Sequence, residues 1–238
     1  MLDDAALLAL PPYGLNREAK HTFLNAELAA LTRSHALRCP EYARMLQATG
    51  TNPEAEINYE QLPPLPVRLF KEFTLKSIPD EAVTKTMTSS GTTGQQVSRI
   101  YLDRETSALQ SKVLGKIMES LLGGTRLPMI ILDSSAVVRD RAMFSARGAG
   151  ILGFSLFARD KIFALDESMQ LDLEGLRAFI AKHAGETIFL FGFTYMVWQH
   201  FYAELKRLGQ TLDLSGGILL HGGGWKKLAQ QSVSREQF

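Results

Sequence analysis

The chain has 238 residues, 45% of them apolar and 21% charged, and 26 Lys and Arg against 25 Asp and Glu leave a net charge of +1. That length and apolar content suffice for a large core without staples, and exclude a disordered tail, a collagen-like fibre and a small disulfide-rich scaffold. The basic residues form no polybasic block, so neither nucleic acid nor an anionic membrane surface is expected as a partner.

The first residues, MLDDAALLALPPYG, lack both the positively charged start of a secretory signal and the roughly 20 apolar residues of a membrane span. Cys39 is the single cysteine, so no internal disulfide can form. A soluble protein of the reducing cytoplasm is therefore expected.

Residues 16–37 repeat Phe23, Leu24, Leu28, Ala30 and Leu31 at helical spacing, with Asn16 as N-cap and Glu18 in the first turn. A shorter helix is expected after Cys39-Pro40, since proline suits a first helical position. Residues 49–66, rich in Pro, Asn and acids, read as a connector. Residues 82–87 and 97–101 alternate as strands on either side of a glycine-containing turn. A helix follows over 103–122 with Asp103 as its cap, and the continuous apolar run 128–132 suits a buried parallel strand. Beyond it come a helix near 172–184, a strand at 187–191, a helix at 194–208 and a strand at 217–221. Strands separated by helices of this length predict an α/β fold, a mostly parallel sheet covered on both faces.

The stretch between the first two strands is the most informative. Thr88, Ser89, Ser90, Gly91, Thr92, Thr93 and Gly94 place five hydroxyls and two glycines in seven residues. Backbone N–H groups and hydroxyls of such a loop can converge on an oxyanion, a triphosphate above all, while glycine permits close backbone approach. No Gly-Lys-Ser/Thr follows, so this is not a Walker A loop. A polar hairpin turn has the same composition.

Ser-Ser-Gly-Thr-Thr-Gly resembles the phosphate-binding loop of the adenylate-forming (ANL) superfamily. Together with Pro66-Val67-Arg68-Leu69-Phe70-Lys71 before it and Val97-Ser98-Arg99-Ile100-Tyr101-Leu102-Asp103 after it, the pattern is similar to the LuxE-like acyl-protein synthetase family. That family supplies the ligase of the bacterial bioluminescence fatty-acid reductase complex. His221, Gly222, Gly223, Gly224, Trp225, Lys226 and Lys227 form a second landmark of the same family. The resemblance implies an N-terminal helical region over 1–62 and a partial adenylate-forming domain over 63–238. It implies a ligase that uses ATP and Mg2+ to activate a fatty or other hydrophobic carboxylic acid for transfer to a thiol. An acyl-accepting protein or an acyl-CoA-reductase-type protein is the implied partner.

By the same resemblance Ser89, Ser90, Thr92 and Thr93 would donate hydrogen bonds to the β- and γ-phosphates, with Gly91 and Gly94 admitting the backbone. Gly222, Gly223 and Gly224 would form the flat edge against adenine. Phe193 and Tyr195, at a strand–helix junction, would line the acyl pocket, although aromatics at such junctions also serve as plain core. Where the superfamily often carries a lysine after its loop, this chain has Gln95 and Gln96, so Lys71, Lys85 and Arg99 are the available cations. The family's acidic metal ligand, ribose-binding aspartate and mobile C-terminal domain find no counterpart after Trp225. Most of an N-terminal adenylation domain is therefore expected, with no catalytic residue and no protein metal ligand assigned.

Cys39 precedes a proline far from both landmarks and is not expected to carry an acyl group. The five histidines show no metal-ligand spacing, and the G-x-S-x-G elbow of hydrolases is absent around Ser90. The small-residue run 145–150 could border the pocket. A phenylacetate-type carboxylate–CoA ligase and a nucleotide-binding module inactive by itself remain the alternative readings.

Overall fold

Side chains that cap their own helices organise the first half of the chain. The computed structural model describes residues 3–88, 97–139 and 146–238, which fall into two units, Met1–Leu121 and Leu122–Phe238. In the first unit, α1 (Asp4–Ala9) is capped by Asp3, whose Oδ1 accepts from the Ala5 N–H at 3.0 Å. Asn16 Oδ1 accepts from the Ala19 N–H at 2.8 Å and starts α2 (Arg17–Arg38), as its sequence predicts. Pro40 opens α3 (Pro40–Ala48), where its missing N–H leaves no helical bond unmade. α2 also reaches across sequence, because Asn25 Oδ1 accepts the Tyr59 N–H at 2.9 Å.

After the short α4 (Leu69–Glu72), β1 (Lys85–Thr88) and β2 (Arg99–Leu102) pair antiparallel as a two-stranded sheet. Asp103 then caps α5 (Arg104–Leu122): its Oδ1 accepts the Thr106 N–H at 2.7 Å, and that bond holds the carboxyl below its usual range. Within the first unit the N-terminal helices share packing with the segment that follows them. His35, Cys39 and Tyr42 of the N-terminal helices line one cavity of about 450 Å3 with Phe70, Ile100 and Tyr101. His35 Nδ1 also lies 2.7 Å from Ser77 Oγ, and burial, with the charge of Arg38, lowers the His35 pKa. Cys39 is buried there.

The second unit is an α/β layer built on a parallel sheet. Its elements are β3 (Leu127–Ser134), α6 (Ala136–Arg139), α7 (Ala146–Phe154), β4 (Ala158–Leu165), α8 (Leu173–Lys182) and β5 (Phe189–Phe193). A π-helical segment, Met196–Tyr202, then leads into α9 (Ala203–Arg207) and β6 (Ile218–Gly222). The strand order is β4-β3-β5-β6, with every pairing parallel. Pro128 to Ser134 are all buried, which explains the unbroken apolar run of β3: a central strand has no solvent face.

Alternate residues feed two cores. Ile130, Leu132 and Leu190 pack with Leu176 and Phe179 of α8 and with Val197 and Phe201 of the π-helical segment. From α7, the Phe154 ring lies 4.5 Å from that of Phe191 and 6.4 Å from that of Phe189, centroid to centroid. Both faces of the sheet are therefore covered, as expected. At the edge, His183 is buried between Asp160 Oδ2 at 2.9 Å and Glu186 Oε1 at 3.0 Å. Hydrogen bonds from Lys182 and then His183 bring the Asp160 pKa down to about 2.

Five elements lay outside the sequence reading: α1, α4, α6, α7 and β4. β4 is an edge strand, and Arg159, Asp160 and Lys161 at its start mask the period-2 signal. The small-residue run 145–150 opens α7 from Ala146, while Ser145 lies outside the described residues. β5 runs to Phe193, two residues beyond its expected end. Among the described residues no helix is long and apolar enough to cross a membrane.

Candidate functional site

In the four-stranded sheet β3 and β5 are neighbours, yet the chain leaves β3 toward β4 and leaves β5 toward β6 on the other side. Ligands of open α/β sheets sit beyond the carboxyl ends of strands at such a reversal. Asp133 and Ser134 occupy that end of β3, residues 193–195 that of β5, and residues 221–224 that of β6.

Asp133 is 1% exposed, a carboxylate at the end of an apolar strand, and burial at that depth demands partners. It has three. Arg147 of α7 donates Nε–H to Oδ2 at 2.9 Å and Nη2–H to Oδ1 at 2.5 Å, and the Ser134 N–H donates to Oδ1 at 2.8 Å. The guanidinium's other branch, Nη1, donates to the Tyr195 hydroxyl at 2.8 Å. Burial works against the Arg147 charge, but the hydrogen bonds and charge of Asp133 outweigh it and raise the pKa above the usual arginine value. Burial, reinforced by the Arg147 charge, lowers the pKa of nearby His200.

Thr194 ties β5 to β6. Its Oγ1 lies 2.8 Å from the Gly223 carbonyl, 3.2 Å from that of Gly222 and 3.1 Å from His221 Nδ1. With the hydroxyl proton on the closer carbonyl, Oγ1 is left to accept from Nδ1–H, which assigns that tautomer to His221. The His221 ring in turn lies 4.6 Å from that of Phe238, centroid to centroid.

Gly223 has φ +78°, and a Cβ there would stand 2.8 Å from Cδ1 of Phe193, so the ring lies directly against glycine backbone. Gly223→Ala is expected to cost about 1–3 kcal/mol, through left-handed backbone and a displaced ring. A Cβ on Gly224 would meet nothing within 4 Å, so Gly224→Ala should stay within about 0.5 kcal/mol. Urea unfolding of the two variants side by side checks the contrast.

Of the residues singled out by sequence, Phe193, Tyr195, His221, Gly222 and Gly223 share these strand ends, and Gly224 and half-buried Trp225 follow directly. Thr88 is exposed at the end of β1 in the first unit. Ser89, Ser90, Gly91, Thr92, Thr93 and Gly94, with Gln95 and Gln96, lie outside the described residues. Sequence reasoning did not single out Asp133, and touched Arg147 only as one of a small-residue run. The available signal was a carboxylate closing the run Ile130-Ile131-Leu132, where a buried charge requires a cation from elsewhere in the chain.

The family model for acyl-protein synthetase, LuxE, matches residues 1–238. The long-chain-fatty-acid–luciferin-component ligase of Vibrio harveyi is 26% identical over 212 residues, 83% of this chain and 52% of that protein. The chain thus spans about half the length of the curated relative it matches. Among solved structures, 2-hydroxyisobutyryl-CoA ligase in complex with 2-HIB-AMP and CoA in the thioesterification state matches with a TM-score of 0.57. That match covers 87% of this chain and 44% of the other at 12% identity, a likeness of fold that agrees with the α/β architecture expected. Because the family model runs through both the hydroxyl-rich loop and the glycine-rich end of β6, this chain belongs to the LuxE family of acyl-protein synthetases.

Proposed function

We propose that this chain activates a fatty or other hydrophobic carboxylic acid as its acyl-adenylate, for transfer to a thiol. The observation that carries the reading is the glycine edge at the carboxyl end of β6, held to β5 by Thr194, in a chain matched throughout by the LuxE family. ATP would be a substrate. A Cβ on Gly222 or Gly224 would meet nothing within 4 Å, so the edge is open to a flat ring such as adenine. Ser89, Ser90, Thr92 and Thr93 would donate to the phosphates, with Thr88 leading in and Gly91 and Gly94 allowing close approach. Phe193 and Tyr195 would border the acid, and His221 and Trp225 would flank the glycine edge.

In the reaction an oxygen of the acid's carboxylate attacks the α-phosphorus of ATP. The bridging bond to the β-phosphate breaks, its electron pair leaving with pyrophosphate. Little covalent work falls to the protein, whose part is to hold the reactants and to place donors where charge gathers. Mg2+ would neutralise phosphate charge, and among the described residues no cluster of three or more His, Cys, Asp or Glu could hold it independently. An acyl-accepting protein in the cytoplasm completes the proposal.

The test is exchange of labelled pyrophosphate into ATP, with fatty acids of graded length. The double variant Ser90→Ala/Thr92→Ala should lose at least about 100-fold of the exchange, since one such donor is often worth that much. Undiminished exchange by this variant would remove the loop from the site. ATP binding without exchange for any acid would point to a nucleotide-binding module. Formation of a CoA thioester would point to a phenylacetate-type ligase.

A further inference from the structure

We infer that Asp133 and Arg147 are positioning residues that aim the Tyr195 hydroxyl proton at the carboxylate of the incoming acid. The inference rests on the acid-activating reading and says how the acid's head group is recognised. A guanidinium has five donors and no acceptor, so the contact of 2.8 Å between Nη1 and the Tyr195 oxygen has one polarity: arginine donates and the phenol accepts. The phenol's own proton is left over. No other described residue shares a hydrogen bond with it, and Tyr195 is only half-buried at the mouth of β5.

Arg147 itself is committed in a fixed way. Nε and Nη2 grip Asp133 bidentately, Nη1 spends one proton on Tyr195, and each Nη keeps one N–H. Asp133 cancels the formal charge of Arg147, and its burial, with 2% of its side chain exposed, locks the orientation of the fork. What remains is a phenol O–H polarised by a guanidinium, beside N–H groups of that same guanidinium, whose side chain is 28% exposed. The protons this set presents are donors, which an anion accepts more strongly than a neutral alcohol or amide does. The rings of Phe193 and Phe191, 6.4 Å apart between centroids, supply an apolar wall on the same strand end. A carboxylate carrying a hydrocarbon chain matches both parts. Asp133 acts only through Arg147.

The experiment titrates the chain, without nucleotide, with decanoate and with decan-1-ol, followed by calorimetry. The wild type should bind decanoate more tightly than the alcohol. Tyr195→Phe should weaken decanoate about 10-fold or more, the scale of one hydrogen bond to a charged group, and leave decanol binding unchanged. Arg147→Lys keeps the charge but cannot hold Asp133 and Tyr195 together, and should lose the same selectivity. If that variant does not fold, Tyr195→Phe alone decides. Wild-type affinity for decanoate in folded Tyr195→Phe, or a wild type that does not prefer decanoate over decanol, would overturn the inference. Because no ATP is present, absence of pyrophosphate exchange would fail the adenylation reading while leaving this result intact.

Discussion

Replacing Asp133 with alanine is expected to destabilise the chain by about 3–5 kcal/mol, the range for removing one partner of a buried ion pair. The large effect comes from what is left behind. Arg147 would lose both bonds of its bidentate contact while staying largely covered, so a cation without a counter-charge would sit between α7 and the strand ends. Urea unfolding followed by circular dichroism measures the loss. The double variant Asp133→Leu/Arg147→Met should recover most of it, because a hydrophobic pair of similar volume often replaces a buried ion pair without penalty. The recovered protein should nevertheless bind decanoate no better than decanol. A double variant as unstable as Asp133→Ala would show that the loss is not one of charge.

Phe189→Ala is expected to cost a similar 3–5 kcal/mol by a different route, the cavity left in a packed core. Phe189 is 0% exposed, pairs in register with Met129 and Ile218, and meets the Phe154 ring edge-on. It begins β5, four residues before Phe193, and at strand rise that places it about 13 Å from the carboxyl end. The thermal midpoint should fall by on the order of 10 °C. At a temperature where the variant stays folded, its preference for decanoate over decanol should match the wild type. Loss of that preference in folded Phe189→Ala would tie acid recognition to general packing and count against the geometry drawn for Tyr195. The two substitutions thus separate the stability of the sheet from the chemistry of its edge.

What could be read along the chain was local. Asn16 and Asp103 cap helices because a side-chain oxygen reaches an N–H three residues on, a bond complete within one turn. The apolar run of β3 announced a strand buried on both faces, and the order of two glycine-rich landmarks was enough to place the chain in its family. The hydroxyl-rich loop lies outside the described residues, and its assignment to the phosphates is a proposal.

The tertiary structure decided the partnerships. No spacing rule pairs Asp133 with Arg147, 14 residues on, and then with Tyr195, 48 residues beyond. These groups meet because β3 and β5 lie side by side with α7 over one face of β5. β4 was hidden because an edge strand tolerates charge, and Thr194 was unremarkable until β6 brought the Gly223 carbonyl to its hydroxyl. Caps and apolar runs satisfy themselves among near neighbours, so composition and spacing reveal them. A buried charge must find its counter-charge through the register of several strands, and that is set only when the sheet is assembled.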